Sequence, residues 1–333
     1  MALTGALLIT LATPATWPLA LAAFLLRGGI LLVTLPIVVL PTPVGLGNVM
    51  APTLTAIALG AIPGVAVVAA AIAVVVVLGW LVVGGWLAAA LEAEGARIVS
   101  RDEDMAASRS GDPAVRETSR VTNAGDARVG ARILVARLTA YLPLALVLGL
   151  GSIRIVQVTY SELTLPSDVA TPIVLRVMRA SPEVAVAVVL AWMAGEIVGA
   201  VAGRRIALAG DTVAAALRAA VVTSVRHPLA ALARFWLPTI ALLVVLAPSA
   251  LAAASAWAAV GAILSERADA GSILAAVVLF VVLWVVGLLL AAVVCAWRAA
   301  VWTVAEVAGR GTFGGSSARQ PGDWQADPSS ATL

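Results

Sequence analysis

An uncharged stretch from residue 28 to residue 91 constrains the fold of this 333-residue chain more than any other feature. Arg27 is the only charged residue before it, so the first 91 residues cannot form a surface that faces water. In lipid, backbone polar groups must be satisfied internally, either in helices or in a closed barrel. The continuous Ala/Val-rich runs lack the apolar-polar alternation of barrel strands. We therefore expect an all-α, polytopic transmembrane helical bundle.

Hydropathy predicts about six spans, because each span needs about 20 mostly apolar residues. Only 12% of the residues are charged, compared with about 25% in soluble domains. We expect one transmembrane domain over residues 1–310, with spans at about 17–40, 64–91, 138–160, 184–203, 235–257 and 273–297. A shorter apolar piece at 53–62 is bounded by prolines and is either re-entrant or a half-helix.

Polar segments connect these spans. The second span is expected to continue as an exposed helix at 92–99, followed by a long polar loop at 100–130 that is predicted to be disordered. The Gly/Ser-rich tail at 311–333 is also predicted to be disordered. Short amphipathic helices at the membrane interface are expected at 169–180 and 212–226.

The distribution of arginine predicts the orientation. Under the six-span arrangement, sixteen Arg residues flank the spans on one side and four on the other. Positive residues accumulate on the cytoplasmic side, so we expect the long loop and both termini in the cytoplasm. Lysine is absent and all 21 basic residues are Arg, which suggests a GC-rich bacterial genome and hence the bacterial cytoplasmic (inner) membrane.

Two charges are predicted to lie inside the membrane. Glu196 comes eight residues before Arg204, about 12 Å from the cytoplasmic end of the fourth span. Arg27 lies at a comparable depth in the first span, so we expect these two residues to pair. Intramembrane ionisable residues are functional candidates, and a static ion pair that fixes the helix register is an equally good alternative.

Other residues suggest contacts with helices or lipids. Gly195, Gly199 and Gly203 recur every four residues on the fourth span, which is typical of close helix packing. This packing could be internal to the chain, or it could be the contact of a homo-oligomer. Arg176 and Arg179 share one face of the 169–180 helix and are expected to contact lipid head groups.

Residues for familiar enzyme and metal sites are scarce. The chain has one histidine, His227, one cysteine, Cys295, and no lysine. These counts exclude a Walker lysine, an HExxH metal motif and paired cysteine ligands for zinc. We predict no catalytic residue, no metal, no cofactor and no nucleic-acid partner, and an intramembrane enzyme is the least supported class.

The stretch at 203–243, GRRIALAGDTVAAALRAAVVTSVRHPLAALARFWLPTIALL, resembles a module of bacterial six-span membrane protein families. These families include the membrane domain joined to some glycerophosphodiester phosphodiesterases. The resemblance implies a six-span membrane domain. It does not imply phosphodiesterase activity, because the module has no catalytic motif and the chain has no stretch for a soluble hydrolase domain.

Two hypotheses for the function follow. The first is a non-enzymatic envelope protein that acts as a scaffold or as an accessory or regulatory component for a membrane-protein partner. It is motivated by the few polar residues in the spans. The alternative is a transporter, channel or lipid-handling protein that uses Arg27 and Glu196. It is motivated by these charges and by the helix-breaking residues between the first two spans.

Overall fold

The computed structural model describes residues 2–34, 55–56, 59–61, 63–109, 126–165, 167–168, 171–265 and 270–317. Within these residues the regular structure is helical throughout, and no strand occurs. The main helices are α1 (Ala2–Ala12), α2 (Thr16–Phe24), α3 (Ile30–Thr34), α4 (Gly64–Gly79), α5 (Gly85–Arg109), α6 (Asp126–Ala140), α7 (Leu142–Thr164), α8 (Ile173–Ala180), α9 (Pro182–Ala209), α10 (Val213–Arg226), α11 (Pro228–Ser265) and α12 (Ala270–Ser317).

The predicted fold class is confirmed. In the described part of the chain, six helical segments are long and apolar enough to cross a membrane. We call them spans one to six: Thr16–Thr34, Gly64–Asp102, Leu142–Thr164, Pro182–Ala209, Pro228–Ile263 and Ala270–Ala308. Spans two and six extend past their predicted ends at 91 and 297, because the additional turns are packed against other helices through buried residues such as Ala93 and Val301.

Span one is interrupted near its centre. The π-helical turn Leu25–Gly29 separates α2 from α3, and Gly28 within it has a φ of 102°. Glycine adopts this positive φ without the steric cost that a side chain would impose. Residues 35–40 of the predicted first span lie outside the described residues, as do residues 53–54, 57–58 and 62 of the predicted re-entrant piece at 53–62.

The polar segments are more helical than the sequence predicts. Helix α5 continues to Arg109 and α6 begins at Asp126, so both ends of the loop predicted to be disordered at 100–130 are helical. Residues 110–125 lie outside the described residues. Helix α12 continues to Ser317, into the tail predicted to be disordered at 311–333, of which residues 318–333 are not described.

The helix predicted at 92–99 is present, but its predicted exposure is wrong. Ala93, Ala96 and Val99 are buried. Ala93 packs in one cluster with Ile133 of α6, and Val99 packs in another with Val301 of α12. Charged residues lower the hydropathy of residues 92–99, so hydropathy predicts that they extend span two into the solvent. The small alanine side chains between those charges allow close approach of neighbouring backbones.

Small residues also bring α5, α6 and α9 together at one end of the bundle. The buried cluster between them is dominated by alanine and includes Ala89, Ile133, Ala136, Ala202 and Ile206. Helix α10 folds back onto the same cluster. This close packing places the charged side chains of α5, α6 and α9 beside one another.

Candidate functional site

A cavity of about 300 Å³ lies between spans one, two, four and six and the C-terminal end of α6. Its lining has aromatic and small residues, among them Phe24, Trp192 and Trp302. Six charged side chains of the described chain also line it: Arg27, Glu92, Arg137, Glu196, Arg204 and Arg298. Because charges inside a membrane domain are costly and usually functional, this charged cavity is the candidate site.

The charged cavity lies towards one side of the bundle. In a six-span arrangement, the last turns of spans two, four and six lie on the same side as the first turn of span three. Glu92, Arg204 and Arg298 lie within about the last three turns of these spans, and Arg137 lies about one turn before span three. Arg27 reaches the same cavity from the interrupted part of span one.

Glu92 is the centre of the first group of charges. Its Oε1 atom contacts the guanidinium of Arg27. Its Oε2 atom accepts hydrogen bonds from Arg137 and, at 3.4 Å, from Nη1 of Arg204. One carboxylate, whose side chain is only 12% exposed, therefore connects span one, span four and α6 to span two.

Glu196 is the centre of the second group. Its Oε2 atom accepts a hydrogen bond from Nη2 of Arg298 at 2.5 Å. Its Oε1 atom accepts one from the hydroxyl of Tyr141, the residue directly before span three. The Arg298 guanidinium also lies 5.9 Å from the ring centre of Phe235, within the range of a cation-π interaction. Glu196 thus connects spans three, four and six.

The predicted ion pair between Arg27 and Glu196 is not formed. Both residues line the charged cavity, but Arg27 pairs with Glu92, and Glu196 pairs with Arg298. The prediction compared positions along the membrane normal only. It placed Glu92 in the exposed extension, so the carboxylate that accepts Arg27 was missing from the comparison.

The glycine stripe of span four packs within the chain and supports the site. A Cβ atom at Gly195 would lie 2.7 Å from Cδ1 of Tyr141, and one at Gly199 would lie 3.4 Å from Cγ of Arg137. A Cβ atom at Gly203 would lie 3.4 Å from Cγ2 of Ile133. The stripe is covered by α6 and Tyr141, so it does not present an open face to a second copy of the chain.

The lining of the charged cavity carries an excess of positive charge. Four guanidinium groups face two carboxylates, which gives a formal excess of two positive charges within the described lining. Burial and the neighbouring guanidinium of Arg27 lower the pKa of Arg137 to about 10, which still leaves Arg137 protonated at neutral pH. The buried Nε–H groups of Arg137 and Arg204 have no hydrogen-bond partner in the described structure.

Sequence reasoning found two of the six charged residues. Arg137, Arg204 and Arg298 were interpreted as flanking positive charges, and Glu92 as part of an exposed helix. One pattern could have identified Glu92: Ala88, Ala89, Ala93 and Ala96 recur at helical spacing around it and are all buried. Such spacing predicts a packed face that continues past the end of the apolar run.

The opposite end of the bundle contains a different set of charges. Nη1 of Arg176 on α8 donates to Oε2 of Glu162 at 3.1 Å, and the Arg176 side chain is only 12% exposed. Arg179 is exposed. Of these two arginines, only Arg179 is exposed enough to contact lipid head groups. Arg176 instead pairs with Glu162, a partner that the helical spacing of the two arginines did not predict.

Residues for metal chemistry are not clustered in the described structure. No group of three or more His, Cys, Asp or Glu side chains is arranged there to hold a metal ion. Cys295 is buried and lines the charged cavity beside Arg298. The arginines of the site are suited to anionic groups, and the described residues contain no arrangement of ligands for zinc or another metal.

Comparison with known proteins adds no relative. No protein-family model, curated protein or solved structure matches this chain. The resemblance of residues 203–243 to six-span families stays a prediction, and functional inference depends on the charged cavity.

Proposed function

We propose that this chain is a multi-pass membrane protein of the transporter or lipid-handling class that binds an anionic substrate in the charged cavity. The observation that carries the proposal is the composition of the lining, in which four arginines face two glutamates. A static structural pair needs equal numbers of opposite charges. An excess of buried positive charge is costly without an anion to compensate it.

The interruption of span one supports a transport role. Broken helices line the substrate sites of many transporters, because irregular backbone at membrane depth is tolerated where it borders a cavity. The break falls at Gly28, directly after Arg27, and both residues line the charged cavity. A positive-φ glycine beside a charged residue is a suitable hinge for movement of α3 relative to α2.

We place the protein in the bacterial inner membrane with both termini in the cytoplasm, because of the arginine distribution. In that orientation the charged cavity lies nearer the cytoplasmic side. A cytoplasmic anion, or a lipid head group of the inner leaflet, would then reach the arginines without crossing the apolar half of the bundle.

A scaffold function is the competing hypothesis. It is favoured by one observation: each of the two carboxylates is bonded by at least two partners from other helices. Such a network could serve only to hold the bundle in shape for a membrane-protein partner. Under this hypothesis, loss of a carboxylate changes the stability of the protein, and no substrate moves.

Transport assays on the purified full-length chain in liposomes distinguish these hypotheses. One assay records currents after concentration jumps of phosphate, glycerol 3-phosphate or succinate. The other follows movement of fluorescent phosphatidic acid between leaflets. We expect movement of at least one probe, and we expect Glu196→Gln to reduce it strongly because Arg298 loses its carboxylate partner.

Arg218→Gln is the matched control, since Arg218 is exposed on α10 and does not line the charged cavity. This variant should transport like the unmodified protein. Absence of movement for every probe, together with a protein partner that co-purifies in stoichiometric amount, would overturn the transport proposal in favour of the scaffold.

A further inference from the structure

We infer that the charged cavity selects a phosphomonoester dianion over singly charged phosphodiesters. This inference rests on the proposed function, in that the cavity must bind an anion. It adds the chemical class of that anion and the arginines that contact it. The excess of two positive charges in the lining matches the charge of a phosphomonoester, which is about −1.5 to −2 at neutral pH.

The supply of hydrogen-bond donors points to the same class. Each guanidinium has five N–H donors, whereas the two carboxylates offer four oxygen atoms, three of which accept from arginines here. The guanidinium donors of the lining therefore outnumber its carboxylate acceptors. A terminal phosphate brings three oxygen acceptors, and arginine forks bind such groups in a bidentate manner.

The size and lining of the cavity indicate an organic phosphate. A volume of about 300 Å³ corresponds to roughly ten water molecules at about 30 Å³ each, which is more than an inorganic phosphate ion needs. Phe24, Trp192 and Trp302 line the remaining wall. The aromatic side chains provide an apolar surface for the carbon portion of the ester.

The four arginines divide into two roles. Arg137 and Arg204 are the most buried, with side chains 10% and 5% exposed, and they hold the Glu92 carboxylate in place. Arg27 and Arg298 are more open, at 27% and 23%. Arg27 and Arg298 are therefore the residues that contact the phosphate, and Glu92 and Glu196 position them.

The phosphomonoester could belong to a soluble metabolite or to a lipid. Both sources present the same terminal phosphate to Arg27 and Arg298. The soluble probe is glycerol 3-phosphate, with glycerophosphoglycerol as its diester. The lipid probe is phosphatidic acid, with phosphatidylglycerol as its diester, both in nanodiscs that contain the full-length protein.

Binding is measured by calorimetry for the soluble pair and by native mass spectrometry for the lipid pair. We expect one monoester to bind about tenfold or more tightly than its diester, because the diester carries one charge less. Binding should tighten as the pH rises from about 5 to 7, since the second phosphate pKa is about 6. The probe pair in which the monoester binds more tightly than the diester shows whether the ligand is a soluble metabolite or a lipid.

Variants test the assignment of the arginines. Arg298→Gln should weaken binding of the preferred monoester by about tenfold or more. Arg298→Lys keeps a positive charge opposite Glu196, so the ion pair is retained while the bidentate donors of the guanidinium are lost. This variant should also weaken binding of the monoester. Arg218→Gln should bind like the unmodified protein.

The outcomes separate this inference from the proposed function. Equal binding of monoester and diester, or equal binding of succinate, would overturn the inference while leaving an anion transporter possible. Selective monoester binding without movement in liposomes would overturn the transport proposal and support the inference. Unchanged binding in both Arg298 variants would overturn the assignment of the contacting arginine.

Discussion

The two ends of the bundle use charged residues differently. At the end formed by α7, α8 and the start of α9, which we call the α8 end, ion pairs join residues 14 and 29 positions apart. In the charged cavity, the contacts of Glu92 span 45 and 112 positions, and the contact between Glu196 and Arg298 spans 102. The pairs of the α8 end connect α7 to the next two helices along the chain, whereas those of the cavity connect helices far apart in the sequence.

The difference indicates that charge in the cavity determines the arrangement of the spans, and the proposed function assigns substrate binding to the same charges. A carboxylate that accepts from three helices cannot be removed without leaving several buried guanidinium groups uncompensated. A half-exposed pair at the α8 end is solvated by water or lipid head groups, and its loss has little effect. The following substitutions test this comparison.

Glu92→Gln should have the largest effect on stability. It leaves Arg27, Arg137 and Arg204 without their shared carboxylate, and removal of one partner from a buried ion pair costs about 3–5 kcal/mol. The free energy of unfolding, measured by denaturant titration in detergent, should fall by about this amount.

Glu94→Gln is the matched control for Glu92→Gln. Glu94 lies two residues away on the same helix and pairs with Arg97 three residues on. The Glu94 side chain is 44% exposed and that of Arg97 is 8% exposed. Because water solvates Glu94 and the pair joins two residues of one helix, its loss should cost about 1 kcal/mol or less. Equal destabilisation by the two substitutions would contradict the central role of Glu92.

Glu196→Gln should have the second largest effect. The amide can still accept the hydrogen bond from Tyr141, so the loss is confined to the contact with Arg298. Hydrogen bonds to charged groups contribute about 1.5–3 kcal/mol, and we expect destabilisation in this range. A double-mutant cycle with Arg298→Gln should show coupling between the two residues, and strictly additive effects would exclude the pair.

Gly195→Ala should destabilise the contact between span four and Tyr141. The added methyl group would lie 2.7 Å from the Tyr141 ring and 3.2 Å from the carbonyl oxygen of Ala140. Overpacking of this kind costs about 1–3 kcal/mol. Gly149→Ala is the control, because its Cβ meets nothing within 4 Å, and a helical Gly→Ala exchange there should stabilise by up to about 1 kcal/mol. Similar destabilisation by both would show that the stripe is not closely packed.

The sequence was sufficient to predict the membrane class and the approximate position of each span. In lipid the chain can form helices or a closed barrel, and the absence of apolar-polar alternation in the long apolar runs leaves the helical bundle. The sequence also identified Arg27 and Glu196, because a charge inside an apolar run is visible without knowledge of the packing. The packing of Gly195, Gly199 and Gly203 within the chain was likewise one of the two alternatives that their spacing allowed.

The partners of those charges could not be predicted in the same way. Arg137, Arg204 and Arg298 lie near the ends of apolar runs, where arginine usually faces the membrane surface. Whether such a residue points inwards depends on the rotation of its helix, which is determined by contacts between alanines and glycines on different helices. Average hydropathy contains no information about this rotation. In α5, only the spacing of Ala88, Ala89, Ala93 and Ala96 indicates which face is packed.

Arg154→Gln should have the smallest effect and completes the comparison of the two ends. Nε of Arg154 donates to Oε1 of Glu183 at 3.2 Å, and both side chains are more than half exposed. Exposed pairs of this kind contribute little and are screened by salt, so the midpoint of thermal unfolding should stay within experimental error of the unmodified protein at both low and high salt. A large decrease at low salt that disappears at high salt would show that the α8 end also depends on its charges. The exposed pair at the α8 end would then contribute to the fold as the buried pairs of the charged cavity do.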